Sequence, residues 1–167
     1  MANLSIGARQ VATRTVTLRT GDARDLAIVD ALMTVAFDPS FGEAWTRSQC
    51  LGVLALTGVH LTIAFVDDFP AGFTMTRSVA DEAELLLIAV APDYRRRGVG
   101  TALIRAAITD CSVGAIAKLH LEVRAGNDAV KMYATHGFTK VGERRAYYRG
   151  KTGVAYDAHT YSKDINS

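Results

Sequence analysis

Residues 85–101, L-L-L-I-A-V-A-P-D-Y-R-R-R-G-V-G-T, restrict the fold more than any other stretch of this chain. Residues 85–90 are the most apolar run and have the length of a buried strand. After them Val99, Ala102, Leu103, Ala106 and Ala107 recur at the spacing of one buried helical face. Strand, basic loop, glycine turn and helix therefore follow one another without a linker. Glycines at 98 and 100 let the backbone pass close to a bound group, and the first N–H groups of a helix are free donors aligned with the positive end of its dipole. Such a turn binds an anion. Arg95, Arg96 and Arg97 beside it point to phosphate, because guanidinium pairs bidentately with phosphate oxygens; a solvated basic loop before an ordinary helix is the plainer alternative.

The 167 residues suffice for one domain with a sizeable core, and 49% hydrophobic with 22% charged residues is a globular composition. No apolar run approaches the roughly 18 residues that span a bilayer, and the first 15 residues lack a signal-peptide core. A cytoplasmic location without membrane attachment is expected. Residues 1–15 read as a flexible lead-in and 16–165 as a single domain, although the basic, acid-free first 21 residues also admit a transit peptide. Cys50 and Cys111 are far apart, and His60, His120, His136 and His159 have no ligand spacing, so neither a disulfide nor a metal is expected. The formal net charge of +2 hides an asymmetry: residues 95–151 carry 12 Lys and Arg against 4 Asp and Glu, a surplus of +8, against −6 for the remainder. A polyanionic ligand on this half explains the split. Nucleic acid would too, but no recognition helix or RNA-binding signature accompanies the charge, so no direct nucleic-acid recognition is expected.

The order of elements reads βααβββαβαββ. A strand at 16–19 precedes a helix from about residue 22, with Leu26, Val29, Leu32, Met33 and Ala36 at helical spacing; Asp38, Pro39 and Ser40 end it. Residues 44–56 form a second amphipathic stretch carrying Trp45, Leu51 and Leu54, stopped by Gly58. Strands at 60–66, 71–77 and 83–90 read as an antiparallel meander, and the glycine-turn helix closes at Ser112 and Gly114. A strand at 118–123 follows, then a short helix capped by Asn127 and ending at His136 with Gly137 at C′. Strands at 139–148 and 155–163 complete an α/β sheet packed on both faces.

Alternation along 118–124 sets Leu119, Leu121 and Val123 against His120, Glu122 and Arg124. Glu122 falls near the C-terminal end of a strand beside the glycine-turn helix, where open α/β sheets bind ligands, and a carboxylate there can serve as a general base. As a sheet-surface residue it would instead pair with Arg124 or His120. Tyr133 is either core with a satisfied hydroxyl or a proton donor. Two nucleotide motifs fit poorly. A Walker loop needs a lysine after the glycines, and a dinucleotide fingerprint needs a third glycine where Leu103 stands.

The segments I-A-V-A-P-D-Y-R-R-R-G-V-G-T-A-L-I, L-H-L-E-V-R-A-G-N and M-Y-A-T-H-G-F-T-K-V-G-E-R-R-A-Y-Y together resemble the GNAT superfamily of acetyltransferases. Within it they are most similar to the bacterial ribosomal-protein alanine N-acetyltransferases. The similarity spans about residues 16–163 and is strong over 85–148. The glycine turn and Y-x-x-x-G-F from Tyr133 mark the superfamily; L-E-V-R from Leu121 and R-R-x-Y-Y from Arg144 narrow it.

The resemblance implies a GNAT fold: a single mixed, mostly antiparallel sheet splayed at the cofactor site, with helices on both faces. It implies acetyl-CoA as donor and no metal. The pyrophosphate would sit on Arg95, Arg96, Arg97, Gly98, Val99, Gly100 and Thr101, and the pantetheine arm would pair with the backbone of Leu87, Ile88, Ala89 and Val90. Asn127 would lie near the thiol, Glu122 would be the base and Tyr133 the acid. Trp45, Arg144, Arg145, Tyr147 and Tyr148 would border the acceptor groove, with helix core as the alternative for Trp45. The implied acceptor is the N-terminal amine, alanine first, of a small-subunit ribosomal protein, on a monomeric or weakly dimeric enzyme. A lysine side chain, small amine or antibiotic is the alternative acceptor, and outside catalysis a CoA-binding or RNA-associated module. The chain departs from the family pattern once, being one residue short between Asn127 and Tyr133. Lost inside a helix, that residue would turn Tyr133 by about 100°; the intact Y-x-x-x-G-F places the slack around Asn127 and Asp128.

Overall fold

The computed structural model describes residues 15–167. The expected lead-in therefore lies outside the described residues, apart from Thr15. Seven strands and four helices follow in chain order: β1 (Val16–Gly21), α1 (Leu26–Ala36), α2 (Arg47–Leu54), β2 (Val59–Val66), β3 (Phe69–Val79), β4 (Glu82–Val90), α3 (Val99–Val113), β5 (Lys118–Arg124), α4 (Ala129–Thr135), β6 (Thr139–Arg149) and β7 (Ala155–Asp164). The sheet order is β1-β2-β3-β4-β5-β7-β6, and every neighbouring pair is antiparallel except β4 with β5. That one parallel pair needs a crossover, which α3 supplies.

Capping explains where the helices begin later than their periodicity suggests. Asp22 accepts from the Arg24 N–H while Asp25 reaches back to the Asp22 N–H, so the chain makes a 3₁₀ turn at Ala23–Asp25 before α1 starts at Leu26. Thr46 and Gln49 form the same reciprocal box ahead of α2. Trp45 consequently stands in a loop rather than on the helix, and Leu51, expected on the buried face, is 47% exposed.

The core lies on both faces of the sheet. On one face α1 and α2 cover Leu61, Ile63, Phe73, Met75, Leu87 and Ala89. On the other, α3 and α4 cover Ala83, Leu85, Leu119, Leu121 and Val123. Burying one such leucine or isoleucine contributes about 2 kcal/mol. β4 thus feeds both cores, Ala83 and Leu85 one way and Leu87 and Ala89 the other. Simple alternation would send all four to one face. A β-bulge resolves this: Thr76 pairs with Leu85 and Met75 with Leu87, so Leu86 is an extra residue that shifts the phase by one. The parallel ladder stops at the same point, pairing only Glu82 to Leu85 with Lys118 to Leu121. Beyond Leu85 the sheet is splayed.

Candidate active site

The splay leaves the edge of β4 from Leu86 to Val90 outside the β5 ladder, and β4 then runs through a 3₁₀ turn at Pro92–Tyr94 to the arginines. These three arginines differ in use. Arg95 donates from Nη2 to the Ala36 carbonyl at 2.7 Å and from Nε to the Val90 carbonyl at 3.2 Å, which ties the loop to the C-terminal end of α1. Arg96 takes a left-handed φ of 58°, and Arg97 stands over the Tyr94 ring at 5.8 Å. Gly98 has φ 82°, with no atom within 4 Å of where a β-carbon would stand, and no side chain caps α3. An open backbone cradle, uncapped helix-start N–H groups and the exposed Arg96 and Arg97 together match the donor set a diphosphate requires. The unladdered edge suits an arm bearing amides. Of the positions expected to hold pyrophosphate, Arg95 is the one whose guanidinium already serves the fold.

At the mouth of the splay lies a cavity of about 160 Å³, lined by Phe37, Glu43, Trp45, Leu86, Leu87, Ile88, Glu122, Asn127, Tyr133, Tyr147 and Tyr148 among others. Eight residues expected at the site meet here. The Glu122 side chain, 13% exposed, lies 2.8 Å from Arg144 Nε, and burial together with its charge pushes the Tyr147 hydroxyl upward. Neither His120 nor Arg124, its neighbours along the strand, pairs with it: His120 faces Glu82 at 3.3 Å, and Arg124 faces Glu43 at 3.2 Å. Alternate residues of one strand are roughly 7 Å apart, so partners on adjoining elements are nearer.

Tyr133 is buried and packs edge-on to Phe138. Burial above all, then Tyr148 and Glu43, pushes its hydroxyl far above the ordinary phenol value, so it holds its proton at neutral pH. Gly126 turns with φ 84°, the Asn127 side chain accepts from the Ala129 N–H at 2.9 Å, and α4 begins at Ala129 with Tyr133 facing the cavity.

Tyr147 and Tyr148 are consecutive on β6, yet both line the cavity. Regular strand geometry would send them to opposite faces. Between Arg144 and Tyr148 the register against β7 slips, Ala146 adopts φ 53°, and its N–H donates to Asp157 Oδ1 at 2.9 Å. The resulting bulge brings the two rings together at 5.0 Å. Arg145 is exposed and lines neither this cavity nor the next. A second cleft of about 550 Å³ adjoins at Glu84, Leu121 and Glu122 and also contains Arg77, Glu82, His120 and Arg144.

Sequence reasoning passed over Glu43, for want of any signal. It sits in the loop between α1 and α2, 11% exposed, against the 12% exposed Arg124, and it accepts from Asn127 Nδ2 at 3.2 Å across 84 residues of chain. Arg124 stacks 3.7 Å over Phe41, whose ring meets Tyr156 edge-on. Gly42 and Gly150 allow the same loop to lie directly against the β6–β7 connection: a β-carbon on either would run into the carbonyl of Arg149 or of Ser40.

Acyl transfer to an amine is the chemistry this arrangement suits, since the amine must lose a proton on one side and the leaving group gain one on the other. The sequence as a whole agrees. Residues 40–156 match the Acetyltransferase (GNAT) domain, and the chain belongs to that family. It is an N-acetyltransferase whose acyl donor is acetyl-CoA. Over 105 residues, 62% of this chain and 70% of the other, it is 43% identical to the [Ribosomal protein bS18]-alanine N-acetyltransferase of Salmonella typhimurium. It is 33% identical to the N-alpha-acetyltransferase RimI of Mycobacterium tuberculosis over 152 residues, 88% and 91% of the two chains. The crystal structure of the ribosomal-protein-S18-alanine N-acetyltransferase from Escherichia coli superposes with a TM-score of 0.82 at 30% identity, covering 90% of this chain and 94% of that one. Among the described residues no helix is long and apolar enough to cross a membrane, and no group of three or more His, Cys, Asp or Glu is placed to hold a metal ion.

Proposed function

We propose that the chain is a cytoplasmic Nα-acetyltransferase that acetylates the N-terminal alanine of a small-subunit ribosomal protein. The observation that carries this reading is the convergence of Glu122 and Tyr133 on one small cavity at the splay, beside the β6 bulge. An α-amino group has a reference pKa of about 7.7 to 8.0, so near neutrality it is mostly ammonium and cannot attack a carbonyl. Glu122 takes that proton, directly or through water. Acetyl-CoA, when bound, supplies the thioester. Tyr133, kept protonated by its burial, delivers the proton with which the sulfur leaves as a neutral thiol. Leu87, Ile88, Ala89 and Val90 hold the arm, Arg96, Arg97, Gly98, Val99, Gly100 and Thr101 hold the diphosphate, and Asn127, fixed by Glu43, borders the thiol end. Trp45, Tyr147 and Tyr148 wall the acceptor side, with Arg144 at its rim and Arg145 outside both cavities. The relatives named for bS18 support alanine as the first acceptor residue, because the L-E-V-R and R-R-x-Y-Y segments fall within this site.

A peptide beginning with alanine and carrying an internal lysine, assayed beside its N-terminally blocked twin by CoA release and mass spectrometry, tests the reading. Acetylation of the α-amine in the free peptide and none in the twin is expected. Lysine acetylation of both would transfer the acceptor assignment to side chains. Glu122→Gln and Tyr133→Phe should each lower kcat at least tenfold with little change in acetyl-CoA affinity, an acid–base contribution being typically about 10²- to 10⁴-fold.

A further inference from the structure

Glu122 does not wait for its substrate alone. We propose that Arg144 is a stand-in for the acceptor's own cation, occupying Glu122 until the incoming ammonium displaces it into the adjoining cleft beside Glu84. The inference rests on the reading of Glu122 as the group that receives the acceptor amine. Arg144 Nε sits 2.8 Å from the Glu122 carboxylate, with Glu122 13% exposed and Arg144 61% exposed. One partner is therefore fixed in the site and the other largely in solvent, which makes the pair weak and exchangeable. A guanidinium cannot give up its charge near neutrality, so an ammonium arriving at the same carboxylate meets a second cation, and repulsion between the two favours the arginine moving away.

The cleft of about 550 Å³ gives it somewhere to go, and Arg144, Glu122 and Glu84 all line it. Glu84 lies on β4 one residue ahead of the last laddered position, opposite His120 and next to Glu122 across the parallel pair. Desolvation and then the Glu122 charge push the Glu84 carboxyl upward while Arg144 pulls it down, so the two acids already compete for one arginine. When the acceptor's ammonium neutralises Glu122, Glu84, which His120 and Arg77 also face, draws the guanidinium toward it. The exchange swaps one cation for another and leaves the net charge around Glu122 unchanged. It also makes the acceptor compete with a tethered ligand, which raises its apparent dissociation constant in inverse proportion to the fraction of sites the arginine leaves free.

Steady-state kinetics on the full chain with an alanine-starting peptide test this. Arg144→Gln should lower the peptide KM about fivefold, the size of a weak ion pair, and leave the acetyl-CoA KM unchanged, which also reports an intact fold. N-ethylguanidinium added to Arg144→Ala should inhibit competitively against the peptide and not against acetyl-CoA. Glu84→Gln should raise the peptide KM. A peptide KM that rises or stays the same in Arg144→Gln overturns the proposal and makes Arg144 a wall of the groove, while an inactive Glu122→Gln leaves the base assignment standing. Full activity of Glu122→Gln would remove both.

Discussion

The two halves of the site are built on different terms. The proposed donor half is contiguous: one strand edge, one 3₁₀ turn and one helix start, within residues 85–101, with main-chain groups left free. The proposed acceptor half is assembled from residues far apart in the chain: Glu43 on Arg124 and Asn127, Phe41 on Arg124 and Tyr156, Gly42 against Arg149 and Gly150 against Ser40. A shared anion, diphosphate, can be read by backbone geometry that any sequence with glycines in the right place can form. A particular acceptor needs particular side chains in a particular tertiary arrangement. The donor half should therefore tolerate change in the loops that the acceptor half does not.

The largest break in that comparison should come from Glu43→Gln. It leaves the nearly buried Arg124 without its anion, at a cost of about 3 kcal/mol in thermal or urea unfolding. The peptide KM should rise more than the acetyl-CoA KM, and Arg124→Met in the same chain should recover part of the stability. Gly42→Ala comes next, at about 2 kcal/mol. Its φ of 69° disfavours a β-carbon and the Arg149 carbonyl blocks one, so loss of peptide binding with retained acetyl-CoA binding is expected. Gly98→Ala should cost about 1 kcal/mol, since a left-handed φ of 82° is its only penalty and the space around it is empty. Its kinetic signature should be the reverse, a raised acetyl-CoA KM with an unaltered peptide KM. Equal shifts in both constants for either glycine would erase the distinction between the halves.

The smallest effect belongs to Asp22, remote from both. Its carboxyl is pushed down to about 2, first by the Arg24 side chain and then by the Arg24 N–H. A depressed carboxyl stabilises the fold above its unfolded value of about 3.9 and loses that contribution as pH falls through the folded one. The difference in melting temperature between the native chain and Asp22→Asn should be present at pH 6 and gone below about pH 2, with neither KM changed.

The order of strands and helices was legible because each element announces its own period, and the boundaries that shifted did so through caps. Asp22 with Asp25, and Thr46 with Gln49, are short-range hydrogen-bond pairs that override where the apolar spacing begins. The bulge at Leu86 was not legible. The run L-L-L-I-A-V reads equally well as a buried strand with every other residue facing one core, and only pairing with β3 reveals that Leu85 and Leu87 face different ones. Arg95 looked like its two neighbours; the Ala36 carbonyl, 59 residues away, is what sets it apart. The resemblance of 121–127 and 133–138 to known segments located Glu122 and Tyr133 without revealing that Arg144 would be resting on the carboxylate.

By itself the sequence determined the glycine turn before α3, the crossover helix, the alternation that aims Glu122 and the helix that carries Tyr133, because each depends on residues within one or two turns of each other. Tertiary structure alone decided the bulge by which the sheet opens, which arginines are free, how two consecutive tyrosines enter one cavity, and that Glu43 closes on Arg124 and Asn127. Those outcomes depend on register between strands and on contacts across as many as 84 residues. Register is a property of a pair of strands, and no single strand's sequence contains it.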